Sequence, residues 1–126
     1  MKLRGLIVVA VGVVILSGCS KSPESTVESF YRALSKGEIT EAKGYLSTKL
    51  ANQLGDNKLT SALTQEANKI SQCGGIKSVD VKLKGEGEIR NGTTVITFGD
   101  EAACEQNTGK ASLVKEDGNW KISPSK

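Results

Sequence analysis

Histidine is absent from this chain of 126 residues. Without it the chain cannot build a Ser-His-Asp or Cys-His catalytic arrangement, and it lacks the usual nitrogen ligand of zinc. Acidic residues are present, but they do not have the spacing of a calcium-binding loop. We therefore predict no metal, no cofactor and no catalytic residue of these classes.

Aromatic side chains are scarce as well, at 4% of the residues. They are Phe30, Tyr31, Tyr45, Phe98 and Trp120. The hydrophobic core must therefore consist mostly of Leu, Ile, Val and Ala. In a chain this short such a core gives limited stability, and a covalent cross-link would add to it.

An excess of charge of one sign is also missing. The chain has 17 basic and 14 acidic residues, a formal charge of +3. Lys2 and Arg4 lie in a segment that we expect to be removed, and 17 − 2 leaves 15 basic residues against 14 acidic ones, or +1. The two signs are interspersed, and no basic stripe has aromatic neighbours. We therefore expect no nucleic-acid partner.

The amino terminus has the three parts of a secretory signal peptide. Lys2 and Arg4 supply positive charge, residues 6–16 form an unbroken apolar run of eleven, and Ser17 and Gly18 are small. This run is much shorter than the ~20 apolar residues that a helix needs to cross a bilayer. The pattern predicts a signal peptide of residues 1–18 that is removed on export.

Residues 16–19, Leu-Ser-Gly-Cys, resemble the lipobox of bacterial lipoprotein precursors. The resemblance implies that Cys19 receives a lipid and becomes the first residue of the mature protein. Two or more acyl chains hold a protein on a membrane stably, whereas one chain gives only marginal binding. We therefore expect the membrane to be a partner, through the lipid on Cys19.

The lipobox resemblance also indicates a location in the cell envelope. Retention in the inner membrane of enteric bacteria usually needs Asp after the lipidated cysteine, and this chain has Ser20 there. The resemblance implies an outer-membrane protein facing the periplasm if the source is Gram-negative. Residues 19–22 then form the lipidated cysteine and a short tether. Three extended residues reach about 10 Å, so the domain should lie close to its membrane.

Residues 23–73 have the apolar spacing of helices. Ser22 can cap a first helix that has proline at its first position, and Gly37 can end it. Residues 39–46 form a second, shorter apolar stripe. A third pattern continues to the end of the segment and contains Gly55, which either breaks or bends the helix there.

After residue 75 the apolar period changes from 3.6 to 2. Residues 79–83 alternate between apolar and polar side chains, which predicts a strand with one buried face. Two turn signals follow, because Asn91-Gly92 and Asp117-Gly118 are both typical of tight hairpins. The pattern predicts an antiparallel meander of about four strands.

The order of these elements, helices first and strands afterwards, favours an α+β fold. We predict one domain of residues 23–126, in which N-terminal helices pack on one face of a curved antiparallel sheet of about four strands. A chain of this length is sufficient for one modest core.

Three segments of the chain resemble a known family. They are Ser-Pro-Glu-Ser-Thr-Val at 22–27, Phe-Tyr-Arg-Ala-Leu at 30–34 and Lys-Glu-Asp-Gly-Asn-Trp-Lys-Ile at 115–122. They look like the small lipoproteins of the DUF4878 type, which have NTF2-like, cystatin-like folds. The resemblance implies a pocket between helix and sheet, and it implies no activity.

Two cysteines, Cys73 and Cys104, remain once Cys19 is assigned to the lipid. Exported chains meet oxidising conditions, so we predict a disulfide between them. Closing their sequence separation of 31 residues contributes roughly 3 to 4 kcal/mol in the chain-entropy model. A redox-active or metal-binding pair is the alternative, but the chain has no Cys-x-x-Cys.

These features predict a function of binding without catalysis. The protein would be an envelope lipoprotein that binds a small apolar ligand or another envelope protein. The candidate ligand-binding residues are Tyr31, Tyr45, Phe98 and Trp120. Trp120 shares a strand face with Ile122, and this alternation favours a core position for its ring.

Two other functions remain as alternatives. The first is an NTF2-like enzyme of the isomerase or hydrolase type, in which Asp80 or Asp100 acts with Tyr31 or Tyr45. That function needs a carboxylate facing into the pocket. The second is a lysozyme-inhibitor-like lipoprotein, a class of similar size that also contains disulfides. That class is all-β, so the helical first half argues against it.

Overall fold

The computed structural model of the protein describes residues 22–124, which form four helices followed by four strands. The helices are α1 Pro23–Ser35, α2 Ile39–Lys43, α3 Thr48–Leu54 and α4 Asp56–Gln72, and the strands are β1 Ile76–Lys84, β2 Ile89–Phe98, β3 Asn107–Glu116 and β4 Asn119–Ile122. The helices pack on a curled antiparallel sheet of strand order β1-β2-β3-β4, which confirms the predicted α+β fold. The predicted signal peptide of residues 1–18 and the predicted lipidation site Cys19 lie outside the described residues.

The first helix begins and ends where the sequence predicts. The Ser22 hydroxyl accepts a hydrogen bond from the Ser25 amide at 3.0 Å, and Pro23 is the first helical residue. Pro suits this position because its missing N–H would have no partner in the first turn. Gly37 follows the helix at φ 75°, a conformation in which a Cβ would be strained.

The second apolar stripe does not continue as a helix to residue 46. Helix α2 ends at Lys43, and Leu46 forms a parallel bridge with Ile122. The Ser47 amide donates to the Ile122 carbonyl at 2.8 Å, and the Ile122 amide donates to the Tyr45 carbonyl at 2.8 Å. Because these backbone groups are bonded to the end of β4, they cannot also make helical hydrogen bonds. The long-range pairing therefore overrides the local pattern.

Gly55 breaks the third helical pattern rather than bending it. Its backbone lies at φ 82° and ψ 158°, which separates α3 from α4. The Ser47 hydroxyl caps α3 by accepting from the Leu50 amide at 3.1 Å. Helix α3 has no buried residue, whereas α4 buries Leu59, Leu63 and Ile70.

The prediction of a hairpin at Asn91-Gly92 is wrong. Both residues lie inside β2, and Gly92 is paired with Leu83 of β1 and with Ala111 of β3. The turn between β1 and β2 is formed by residues 85–88. A Cβ on Gly92 would overlap the Lys82 carbonyl, so the glycine permits the close approach of β1 to β2.

The second predicted hairpin is confirmed. Asp117 and Gly118 form the two-residue connection between β3 and β4, with φ values of 50° and 81°. Two successive residues with positive φ are typical of the type I′ turn, whose twist matches that of the flanking strands.

The core has two clusters of buried side chains. The first lies among the helices and β2, and the second lies between α1 and the strands β3 and β4. The buried members of the second cluster are Val27, Ala111, Leu113 and Trp120. The predicted disulfide between Cys73 and Cys104 is present, with a Cα–Cα distance of 5.6 Å, and it ties the end of α4 to the segment after β2.

The close approach at Gly92 can be tested by substitution. Gly92→Ala should lower the free energy of unfolding by about 1–3 kcal/mol, because the added methyl group forces two paired backbones apart. Gly109→Ala is the matched control on β3, where a Cβ meets nothing within 4 Å. The control should stay within about 0.5 kcal/mol of the wild type. Urea denaturation followed by Trp120 fluorescence measures both, and equal effects would contradict this account.

Candidate functional site

A cleft with two adjoining lobes lies between the helices and the sheet. The helical lobe has a volume of about 320 Å³ and is lined by Phe30, Tyr31, Leu34, Leu46, Leu50, Leu54, Leu59, Ala62, Leu63, Glu66 and Ile122. The sheet lobe has a volume of about 280 Å³ and is lined by Val27, Phe30, Tyr31, Leu50, Thr94, Lys110, Ala111, Ser112, Ile122, Ser123 and Pro124. Four residues, Phe30, Tyr31, Leu50 and Ile122, line both lobes.

The sheet lobe exists because the side chains facing α1 there are small. Thr94 of β2 and Ala111 of β3 line it. Each is paired with a glycine on the neighbouring strand, since Gly109 is opposite Thr94 and Gly92 is opposite Ala111. Directly opposite residues of an antiparallel pair lie on the same face of the sheet. This patch of the concave face therefore cannot fill the space below α1.

The short last strand leaves the sheet lobe open at one side. Strand β4 pairs with residues 113–116 of β3. Lys110, Ala111 and Ser112 precede this paired segment, and all three line the lobe. The chain after β4, at Ser123 and Pro124, completes the wall. The sheet lobe therefore has polar groups at its mouth and apolar groups towards α1.

The helical lobe combines apolar walls with one carboxylate and one phenol. Tyr31 is largely buried, and this burial, followed by the negative charge of Glu66, raises the pKa of its phenol above the ordinary value of 10.0. Tyr31 therefore stays protonated at neutral pH. Its ring packs edge-on against Phe30, with ring centroids 5.0 Å apart. Glu66 is half-buried and is the one charged residue that lines this lobe.

Of the four predicted ligand-binding residues, Tyr31 lines the cleft and the others lie elsewhere. Phe98 is buried in the first core cluster, and Tyr45 packs against that cluster. Trp120 is buried in the second cluster, where it has the core position that its alternation with Ile122 favours. The guanidinium of Arg90 lies 5.0 Å from the centroid of the Trp120 ring. None of these three aromatic residues lines either lobe.

The two aspartates considered for catalysis do not line the cleft either. Asp80 is exposed and is paired with Val95, on the face of the sheet away from Val79 and Ile96. Asp100 is exposed in the loop after β2, where its carboxylate accepts a hydrogen bond from the Ala103 amide at 3.2 Å. The structure therefore does not bring either aspartate to Tyr31.

The sequence reasoning missed Glu66, although the sequence carries a signal for it. Glu66 lies three residues after Leu63 and four before Ile70, so it is on the same face of α4 as these buried side chains. A charged residue inside an apolar helical stripe is unusual unless it has a partner or a role. The sequence pattern therefore indicates Glu66 as a candidate site residue.

Two further depressions are present, and both are more polar than the helical lobe. One, of about 430 Å³, is lined by residues that include Glu101, Glu105 and Gln106. The other, of about 480 Å³, includes Lys49 and Lys110. Within residues 22–124 no group of three acidic or cysteine side chains is placed to hold a metal ion. No helix of this described range is long and apolar enough to span a membrane.

A curled four-stranded antiparallel sheet, with helices on its concave face and a cleft between them, is the NTF2-like fold. Residues 17–123 match the model of the family described as "Domain of unknown function (DUF4878)". The chain belongs to this family, as the three sequence segments suggested. No curated protein sequence matches the chain.

Two of the solved structures that are similar to this chain illustrate its fold. One is the crystal structure of a candidate NTF2-like transpeptidase from Campylobacter jejuni, with a TM-score of 0.68 and 16% identity over 83% of this chain and 100% of that chain. The other is the de novo designed NTF2 fold protein NT-9, with a TM-score of 0.52 and 14% identity over 83% and 86% of the two chains. Likenesses at such low identity establish the fold alone.

The raised pKa of Tyr31 predicts a loss of stability in alkali. A group whose pKa is higher in the folded than in the unfolded protein stabilises the fold below its ordinary pKa, which is 10.0 for tyrosine, and this contribution is lost as the pH rises further. Tyr31→Phe should remove this loss, so the variant should gain stability relative to the wild type above pH 10.0.

Ultraviolet titration of the phenolate checks the same assignment. The absorbance of the wild type minus that of Tyr31→Phe should show one tyrosine that ionises above pH 10.0. Tyr45→Phe is the control, and it should leave this transition in place. A Tyr31 transition at or below the ordinary value would contradict the burial and the neighbouring charge.

Proposed function

We propose that this protein is a lipid-anchored envelope protein whose NTF2-like domain binds a small apolar ligand in the cleft. The observation that carries this proposal is the helical lobe, an open space of about 320 Å³ whose walls are apolar apart from Glu66 and the Tyr31 hydroxyl. Sites for small molecules are typically concave and mostly apolar, with a few polar groups that orient the ligand.

The size of the cleft favours a small ligand over a protein segment. Its lobes have volumes of about 320 and 280 Å³, which lie just above and just below the lower limit of the roughly 300–1,000 Å³ range of ligand pockets. Leu54, at the rim of the helical lobe, is 41% exposed. An apolar ligand would cover such surface and gain the usual ~25 cal/mol per Å² of area removed from water.

The anchor is proposed from the sequence, and two structural observations support it. Helix α1 begins at Pro23, only four residues after Cys19, so the tether between the proposed lipid and the folded domain is short. The disulfide between Cys73 and Cys104 is the kind of bond that persists in an oxidising compartment. We propose that the domain lies close to the membrane, on the periplasmic face of the outer membrane if the source is Gram-negative.

The enzyme alternative would now depend on a different pair of residues. Asp80 and Asp100 are outside the cleft, and Glu66 with Tyr31 is the acid and phenol pair that the cleft contains. We favour binding, because the remaining walls of the helical lobe are hydrocarbon and the chain has no histidine. The lysozyme-inhibitor alternative is disfavoured by the four helices of the domain.

Filling the helical lobe should abolish binding of an apolar probe. Ala62 is exposed on α4 and lines this lobe, so Ala62→Phe should place a ring in the ligand's space. We expect an affinity loss of about tenfold or more, equivalent to ~1.4 kcal/mol, for the fluorophore 1-N-phenylnaphthylamine. The measurement is its emission on titration with protein.

Asn68→Phe is the matched control for Ala62→Phe. It adds the same ring to an exposed position of α4 that does not line the lobe. This variant should bind the fluorophore as the wild type does. If the wild type fails to bind, or if both variants bind equally well, the helical lobe is not the ligand site.

The anchor has a separate test in a bacterial host. Cys19→Ser should release the protein from the membrane or leave its precursor uncleaved, because serine cannot take the thioether-linked lipid. The double variant Cys73→Ser/Cys104→Ser is the control, and its membrane attachment should persist. Cell fractionation measures membrane attachment, and the mass of the amino-terminal peptide shows whether the precursor is cleaved and lipidated. Normal cleavage and unchanged attachment of Cys19→Ser would refute the proposal.

A further inference from the structure

The charge of the helical lobe is one-sided. Glu66 lines this lobe, and no basic residue does. The two salt bridges found among residues 22–124 join Lys43 to Asp56 and Lys77 to Glu101, so neither pairs Glu66 with a cation. Lys110, the basic residue of the neighbouring sheet lobe, is exposed at its mouth.

A carboxylate in this position disfavours most apolar ligands. A neutral apolar ligand that covers Glu66 removes water from its charge without replacing the lost hydrogen bonds. An anionic ligand adds repulsion to that cost. A ligand that carries a positive charge beside its apolar part offsets both, because an ammonium group can donate charge-assisted hydrogen bonds to the carboxylate.

The aromatic wall of the same lobe favours a cation independently of Glu66. Phe30 and Tyr31 both line it, and their rings meet edge to face at a centroid distance of 5.0 Å. Aromatic rings attract a cation over their faces. The lobe therefore offers a carboxylate, aromatic rings and hydrocarbon within one small volume.

We infer that the helical lobe binds an amphipathic cation, in which a short alkyl or aryl chain lies against the leucines and a protonated amine pairs with Glu66. This inference rests on the proposed function, since it specifies which apolar ligands the cleft prefers. It assigns Glu66 as the residue that determines specificity.

A matched series of eight-carbon ligands tests the inference. Octylammonium, 1-octanol and octanoate share one chain and differ in the charge of the head, and each can be measured by displacement of 1-N-phenylnaphthylamine from the protein. Octylammonium should bind about tenfold more tightly than octanol, as expected for one charge-assisted contact. Octanoate should bind more weakly than octanol.

Two carboxylate variants locate the source of the preference. Glu66→Gln keeps the shape of the side chain and should lower the affinity for octylammonium to that for octanol. Glu28→Gln removes the same charge from an exposed position of α1 outside the cleft, and it should keep the preference of the wild type. If Glu66→Gln does not fold, raised salt on the wild type should weaken octylammonium binding and leave octanol binding unchanged.

The outcomes separate this inference from the proposed function. If the fluorophore and all three ligands fail to bind, the proposed function fails. If octanol binds as tightly as octylammonium, or if Glu66→Gln keeps the preference, the ligand is not selected by its charge and the binding function stands. If octanoate binds best and Lys110→Gln removes that preference, the polar head lies in the sheet lobe and the inference is overturned.

Discussion

The fit of α1 against the concave face of the sheet determines where the interior closes and where it stays open. Near the start of the helix, Val27 packs with Leu113 and Trp120, and this contact closes the second core cluster. Thr94 and Ala111, which also lie on this face of the sheet, have small side chains that leave the space of the sheet lobe beside the helix. The same helix therefore forms the core on one side and the wall of the cleft on the other. Tyr31 belongs to both, because it packs on the second cluster and lines both lobes.

Features that depend on neighbouring residues could be predicted from the sequence. Ser22 caps α1 by bonding to an amide three residues away, and Asp117-Gly118 forms a two-residue turn. Each of these structures needs only the residues that form it. The change from period 3.6 to period 2 reflects one buried face in each kind of element, so the α+β class followed from the pattern as well.

Features that depend on distant parts of the chain could not be predicted in this way. Gly92 lies inside β2, where the absence of a Cβ lets the Lys82 carbonyl of β1 come close. An Asn-Gly pair alone does not show whether another strand is adjacent. Likewise, the sequence identifies the aromatic residues, but it does not show which side of the core each ring faces. Phe98 and Trp120 fill the two clusters, while Tyr31 and Glu66 meet at the cleft across two helices.

Helix α3 is the wall of the helical lobe with the least support from the core. Its seven residues include none that is buried, although Leu50 and Leu54 line the lobe. Leu50 and Ala51 pack on the first core cluster only while partly buried, and the Thr48 hydroxyl donates to the Glu116 carboxylate at 3.1 Å on the surface. Gly55 separates the helix from α4. Regions with few buried apolar contacts open locally at a lower free energy than the core. The amide hydrogens of α3 should therefore exchange with solvent faster than those of α1 and α4, and the rate of ligand entry would depend on the opening of this one short helix while the remainder of the domain stays folded.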